Sequence, residues 1–375
     1  MQLETKSDER ARRYNRTRRY LSLAAFLVGF AWLAALLFLG WSAGLRDAAW
    51  QVSARYSLAL AVYLLLVFAG GQLLGLPVDF CAGYVIEHRY GLSNQTVAGW
   101  VKDQAKSVLI GGALSLAAAE VAYALIRRQP DWWWLIAWAG FLLFVVLMAN
   151  LAPVLLFPLF YKFQPLADEE LKQRLLRLSE RAGARVRGVF EWKLSEKSRK
   201  ANAALAGWGN TRRIILADTL LEQYTPDEIE AVLAHELAHH VHHHIGKSLM
   251  LQAIASLAGF WLAGHALRAF GSHPRLGFRG MADFANLPLL LLLAAALSLL
   301  LLPAVNAISR HFERQADDYA LRAIPHAGAF ISSMEKLAAQ NLAERRPNRV
   351  IEFIFHSHPS MEKRIRRAVA YRETT

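Results

Sequence analysis

Residues 235–244 read HELAHHVHHH, and six of the ten are histidine. His235 and His239 are four apart, so on a helix their rings lie one above the other on one face. Glu236 sits between them in sequence. It can aim at a water held on a metal that both rings bind, which is the mechanical content of the H-E-x-x-H pattern. The pattern is short, and the rival explanation is a chance match on an amphipathic helix. His240 and His244 point away from this face of a regular helix. His242 shares the stripe, but seven residues at about 1.5 Å each put it roughly 10 Å from His235. Zinc–nitrogen bonds are about 2 Å, so one ion does not hold both. His240, His242, His243 and His244 are therefore read as a polar helix end at the membrane interface.

A catalytic zinc needs a third protein ligand and an open position. Downstream, SRHFERQADDYA (309–320) offers Glu313 and Asp317, again four apart. Glu313 is a candidate carboxylate ligand. Asp317, one turn on, is a candidate to orient a ligand histidine. A solvated, salt-bridged face among Arg310, Arg314 and Asp318 explains the same spacing, and spacing alone favours it.

Ordered elements must hold these groups. Thr225–Pro226–Asp227–Glu228 is a capping box with proline at the first helical position, and it predicts a helix from Pro226 that carries the histidines. Residues 167–182 have helical periodicity, with Leu171, Leu175 and Leu178 on one side. Val186–Trp192 and Arg213–Ala217 are apolar and β-prone. Between them lie Asn202–Leu205 and a turn signal, Gly207–Trp208–Gly209–Asn210, which together predict a small sheet or hairpin.

The remainder is dominated by apolar runs. The chain has 375 residues, 55 % of them hydrophobic, and a mean hydropathy of +0.22, too apolar for an ordinary soluble domain. Six runs reach the roughly 20 residues a bilayer core demands. Four precede the histidines (20–41, 57–76, 107–126 and 132–157) and two follow (248–267 and 286–308). Trp132, Trp133 and Trp134 mark an interfacial end. The first run is not a cleaved signal peptide: a polar segment precedes it, it is too long, and no small-x-small site follows. Lys6, Arg10, Arg12, Arg13, Arg16, Arg18 and Arg19 assign the N-terminal segment to the cytoplasm. Counting spans from there returns 158–247 and the C-terminal tail to the same side. Arg127 and Arg128 fall outside on this count, against the rule. The formal charge of +13 reflects this bias and attraction to anionic lipid; nothing resembles a nucleic-acid-reading module. Cys81 is the only cysteine, which excludes a disulfide framework and a thiolate metal cage. Glu120, Gln72 and Asn150 are read as inter-helix hydrogen-bonding groups rather than chamber lining.

Five regions follow. They are a basic cytoplasmic N-terminal segment (1–19), four membrane helices (20–157), a cytoplasmic metalloprotease region (158–247), two further membrane helices (248–308) and a cytoplasmic C-terminal region (309–375).

HELAH followed, after two hydrophobic segments, by SRHFERQAD resembles the type I CAAX prenyl proteases, integral-membrane zinc metalloproteases of the gluzincin kind. Other stretches are similar in the same order: IEHRYGLSNQT (86–96), LFPLFYKFQPL (156–166), KANAALAGWGNTRRIILADTLL (200–221) and HSHPSMEKRI (356–365). The resemblance implies one zinc ion per chain, held by His235, His239 and Glu313. It implies Glu236 as general base, with Asp317 supporting the zinc shell. Asn202 and Ala203 lie where the family's substrate strand pairs with the protease edge. His358 corresponds to an oxyanion donor, with Arg364 as its partner. The implied fold is an all-α polytopic membrane protein of six to seven helices, in a barrel around a chamber, with a small α+β cytoplasmic zinc-protease domain. The family has seven spans where this sequence has six. The implied reaction is hydrolysis of a peptide bond near the C-terminus of a peptide or protein substrate, with or without a prenyl group, at the lipid bilayer. Composition points to a bacterial inner membrane, with the site and both termini cytoplasmic. Two rivals remain. One is an HtpX-like quality-control protease, although such chains have fewer spans and lack the IEHRYG-type segment. The other is a non-enzymatic histidine-rich metal-binding membrane protein, although transporters want polar ligands at mid-membrane.

Overall fold

The computed structural model of the protein describes residues 6–207 and 211–374; Trp208, Gly209 and Asn210 of the turn signal lie outside them. Among the described residues, six helices are long and apolar enough to cross a membrane. The first, α1 (Lys6–Phe38), runs unbroken from the basic segment into the first apolar run. A short helix, α2 (Trp41–Val52), follows. Next, α3 (Tyr56–Phe80) passes through a wide turn, Cys81–Val85, into α4 (Ile86–Arg89). Pro77 removes one backbone donor just ahead of that turn. Then α5 (Val97–Arg128) starts on the Thr96 hydroxyl, which accepts from Gly99 N at 3.0 Å. The fourth span, α6 (Trp133–Leu151), continues through Ala152–Leu156 into α7 (Phe157–Phe160).

The polar unit follows. It contains β1 (Phe163–Pro165), α8 (Glu169–Arg181), β2 (Val189–Trp192), β3 (Ala203–Ala206), β4 (Arg213–Ala217), α9 (Asp218–Leu221) and α10 (Pro226–Val241). The predicted small sheet is four-stranded, in the order β1-β2-β4-β3. β3 and β4 form an antiparallel hairpin, while β2 runs parallel to β4. That leaves one side of β3 unpaired. Gly207 closes the hairpin at φ +93°, where an added Cβ would lie 2.7 Å from the Thr211 carbonyl oxygen; only glycine fits. Leu171, Leu175 and Leu178 of α8 are buried as their periodicity predicts. They pack with Ile214, Leu216, Leu233 and Leu237 in one core.

The last two spans are α11 (His244–Phe270) and α12 (Leu287–Ala323). At 37 residues, α12 is about 55 Å long, against about 30 Å of hydrocarbon. Its final turns therefore stand clear of a bilayer and pack into the polar unit, where Ala320 and Leu321 join the core. Three helices complete that unit: α13 (Ala327–Gln340), α14 (Arg349–Phe355) and α15 (Met361–Thr374).

The six long helices neighbour one another in the cycle α1, α3, α5, α6, α11, α12 and back to α1. The barrel that the resemblance implies is thus a closed ring. Six helices spaced about 10 Å apart leave a central gap about one helix wide. The two ends of the ring differ. At one end, Arg19 pairs with Glu344 at 2.6 Å, Asn15 donates to Leu342 O at 2.7 Å, and Lys200 pairs with Glu87 at 2.8 Å. These contacts put the N-terminal segment, the polar unit and the C-terminal helices on one side. At the other end, α2 and the segment before α12 form a plug. Arg46 pairs with Asp283, the Ser42 hydroxyl donates to Ala285 O at 2.6 Å, and the Tyr123 hydroxyl donates to Asn286 Oδ1 at 2.8 Å. Arg127 lies at this second end, its guanidinium 3.8 Å from the Tyr56 ring centre.

Candidate active site

The site begins with the cap of α10. Thr225 and Glu228 exchange the two hydrogen bonds of a capping box, and Glu228 is also bound by Ser332 and Lys336 of α13. Most of α10 is buried between the sheet, α12 and α13. His235 and His239 face α12 across this packing. Nitrogen atoms of both and a carboxylate oxygen of Glu313 all lie within 4.8 Å of one another. His235 Nε2 is 3.3 Å from Glu313 Oε2, and His239 Nε2 is 3.5 Å from Glu313 Oε1. Glu313 Oε2 is buried and has no hydrogen-bond partner.

A second layer lies behind the cluster. Asp317 Oδ1 accepts from His235 Nδ1 at 3.0 Å. Arg364 of α15 donates to both Asp317 oxygens, at 2.6 and 2.9 Å. Arg364 is 6 % exposed and also lies 3.3 Å from His235 Nδ1. It therefore faces the back of the histidine, away from the open side of the site. His358 lies on the open side, with its side chain 59 % exposed, Nε2 3.3 Å from Glu313 Oε1 and Nδ1 2.8 Å from the Ser357 hydroxyl. Asn202 is exposed just ahead of β3, and its carbonyl accepts from Ala217 N at 3.0 Å. Ala203 opens β3 opposite Leu216.

The electrostatics separate the two histidines. Burial alone would depress His235, but Asp317 and Glu313 outweigh it and raise its pKa to about 9. Burial pushes His239 down to about 4, helped by the neighbouring His235. Burial also lifts the Glu236 carboxyl above the usual carboxylate range. Glu236, His239 and Glu313 border a cavity of about 560 Å³, whose wall continues along Ile245, Leu249 and Phe312.

The donor set suits a zinc-like ion. It offers two imidazoles, one carboxylate with an orphaned buried oxygen, and an open cavity where further positions are needed.

One residue escaped the sequence reading. His244 is not part of a polar helix end: it is 2 % exposed, and its Nδ1 lies 3.1 Å from His239 Nδ1. A regular helix would carry it away from His239. Here α10 ends at Val241 with His242 as its cap, and His243 adopts a left-handed conformation (φ 55°, ψ 33°) before α11 starts at His244. The break resets the register and turns His244 back towards the site. Histidine tolerates that conformation better than most residues, but no spacing rule announces it.

Comparison with known proteins gives the family. Residues 165–372 match the family model described as peptidase family M48. The chain belongs to this family. Residues 2–162 match a second model, described as the CAAX prenyl protease N-terminal region with five membrane helices; the described residues there form four long helices plus α2. An uncharacterised metalloprotease of Bacillus subtilis, YhfN, is 35 % identical over 298 residues, spanning 79 % of this chain and 70 % of the relative. A CAAX prenyl protease 1 homologue of Arabidopsis thaliana is 28 % identical over 311 residues, spanning 80 % and 71 %. The crystal structure of Ste24p from S. mikatae superposes with a TM-score of 0.88 at 22 % identity, over 98 % of this chain and 90 % of that one. The resemblance to type I CAAX prenyl proteases is thereby borne out, as are the helical polytopic fold and the peptidase class. The M48 member described here is a multi-pass membrane metallopeptidase acting on peptide or protein substrates. The non-enzymatic histidine-rich reading is overturned by the family.

Proposed function

We propose that the chain is a zinc endopeptidase of the CAAX type, which cuts a peptide bond near the C-terminus of its substrate. The observation that carries this is the His235–His239–Glu313 cluster facing a cavity beside Glu236, at the rim of a ring of membrane helices. The match of residues 2–162 to the CAAX protease N-terminal model supports this reading over the quality-control one. His235, His239 and Glu313 would hold the zinc. When bound there, zinc brings the pKa of a water to about 7 and polarises a carbonyl.

The residues supply the rest. Glu236 takes the proton of the attacking water and passes it to the leaving amine. His358, exposed beside Glu313, donates to the oxygen that gains charge. Asp317 fixes the His235 tautomer by accepting from Nδ1, leaving Nε2 free as a ligand. Arg364 holds Asp317 from behind. The unpaired side of β3, led in by Asn202 and Ala203, can accept an extended substrate as a further strand. The basic N-terminal segment and the shared end of the ring support a cytoplasmic site in a bacterial inner membrane.

The test uses purified full-length protein and its Glu236→Gln variant in detergent. Each is offered a prenylated CaaX peptide and the same peptide without lipid, with cut sites read by mass spectrometry. The expected result is cleavage before the last three residues by the parent protein, and zinc retention without turnover in Glu236→Gln. Normal hydrolysis by the variant removes Glu236 from its role. Zinc binding with no cleavage of either peptide moves the substrate to the quality-control class.

A further inference from the structure

His244 is less exposed than His235, yet the roles above leave it without a task. Its ring meets the His239 ring edge-on, 5.1 Å between centres and 68° between planes. Its Nδ1 lies 3.1 Å from His239 Nδ1, and its Nε2 lies 2.9 Å from the side-chain carbonyl oxygen of Gln315 on α12. The ring stacks on Phe312, 4.3 Å between centres and 13° between planes, and on His242, 5.4 Å and 23°.

These contacts are consistent with one chain of hydrogen bonds. The Gln315 carbonyl only accepts, so His244 carries its proton on Nε2. In the neutral ring, His244 Nδ1 is then an acceptor. His239, facing it with Nδ1, donates its proton there and keeps the lone pair on Nε2, the atom turned to Glu313. Ligand histidines commonly donate their second N–H to such a partner, which sets both tautomer and ring angle. For His235 the partner is Asp317; for His239 it is a neutral imidazole.

We propose that His244 is the positioning residue of His239, holding it by one hydrogen bond in the tautomer and orientation that bind the metal. The proposal rests on His239 being a metal ligand. A core histidine that merely fills space would make the same stacking contacts, so the two explanations separate by which half of the ring's chemistry matters.

The test measures the zinc dissociation constant of the purified full chain by chelator competition, with elution volume and metal-free melting temperature as checks on folding. His244→Phe keeps the stacked ring and loses the acceptor. His244→Asn keeps an acceptor close to the Nδ1 position and loses the stack. Zinc binding is expected to weaken about 10- to 100-fold in His244→Phe and to stay within about threefold of the parent in His244→Asn. Unchanged affinity in the Phe variant overturns the proposal, as does an equal or greater loss in the Asn variant, which is the signature of packing. Gln315→Leu, which releases the far end of the chain, provides a second arm should the His244 variants fail to fold. It is expected to lose zinc affinity several-fold, and no change counts against the proposal. His239→Ala run alongside distinguishes the two levels: parent-like zinc affinity there removes the ligand assignment itself.

Discussion

At the scale of single residues, spacing reveals what a regular helix puts together and conceals what irregular backbone puts together. His235, Glu236 and His239 were legible because a capped helix fixes their angles. Glu313 and Asp317 were legible only through the resemblance, since an i, i+4 carboxylate pair among arginines reads equally as a solvated face. The structure instead buries both, at 5 % and 1 % exposure. Arg364 shows what sequence cannot place. The motif puts it near His358, but its guanidinium is engaged with Asp317 behind His235. Removing it leaves a buried carboxylate without its cation. Arg364→Ala is therefore expected to cost about 3–5 kcal/mol of stability, read as a lower melting temperature of the metal-free protein. A substrate-contacting arginine would behave differently, raising KM with no change in melting.

At the scale of elements, the start of α10 was readable to the residue because a capping box is local chemistry. The sheet was only half readable. β1 is three residues long and contains a proline, and the parallel pairing of β2 with β4 depends on contacts distant in sequence. The IEHRYGLSNQT stretch gains a physical meaning here. Asn94 N donates to Lys197 O at 3.0 Å and Arg199 N to Leu92 O at 3.0 Å, tying the end of the second span to the strand lead-in before β3. On the other flank, α10 is tied to α13 through Glu228. Burial disfavours the Glu228 carboxylate, but Lys336, Ser332 and the Thr225 N–H overcome this and hold it below the usual range. Such a group contributes stability that is complete above its unfolded pKa of about 4.3 and is lost as pH falls through the lower folded value. Glu228→Gln is thus expected to lower the melting temperature by an amount that is constant near neutrality. The gap to the parent narrows only below about pH 4.3. A gap already narrowing between pH 8 and 6 would assign the effect to another group.

At the scale of the whole molecule, the sequence predicted six spans and six helices among the described residues are long and apolar enough to cross a membrane, but only the structure closes them into a ring. Ring closure depends on α12 meeting α1 across almost the whole chain, and hydropathy carries no information on such pairing. The cytoplasmic orientation proposed for the ring rests on charge. The N-terminal segment brings seven Lys and Arg up to the first span, whereas the following loop, 39–55, has Arg46 and Arg55. The apparent exception, Arg127, lies over Tyr56 at the plugged end, beside further arginines paired to Asp47, Asp131 and Asp283. These arginines are accommodated by local partners, so they are compatible with the orientation proposed from the N-terminal segment. Orientation can then be read with single cysteines in a Cys81→Ser background. Arg275→Cys lies exposed at the plugged end and Glu373→Cys exposed at the site end. A membrane-impermeant maleimide is expected to label Arg275→Cys in intact spheroplasts and Glu373→Cys only after permeabilisation. The reverse pattern inverts the ring and moves the site out of the cytoplasm. Equal labelling of both in intact cells breaks the six-span count, because an even number of crossings keeps the two termini together and opposite to the plug.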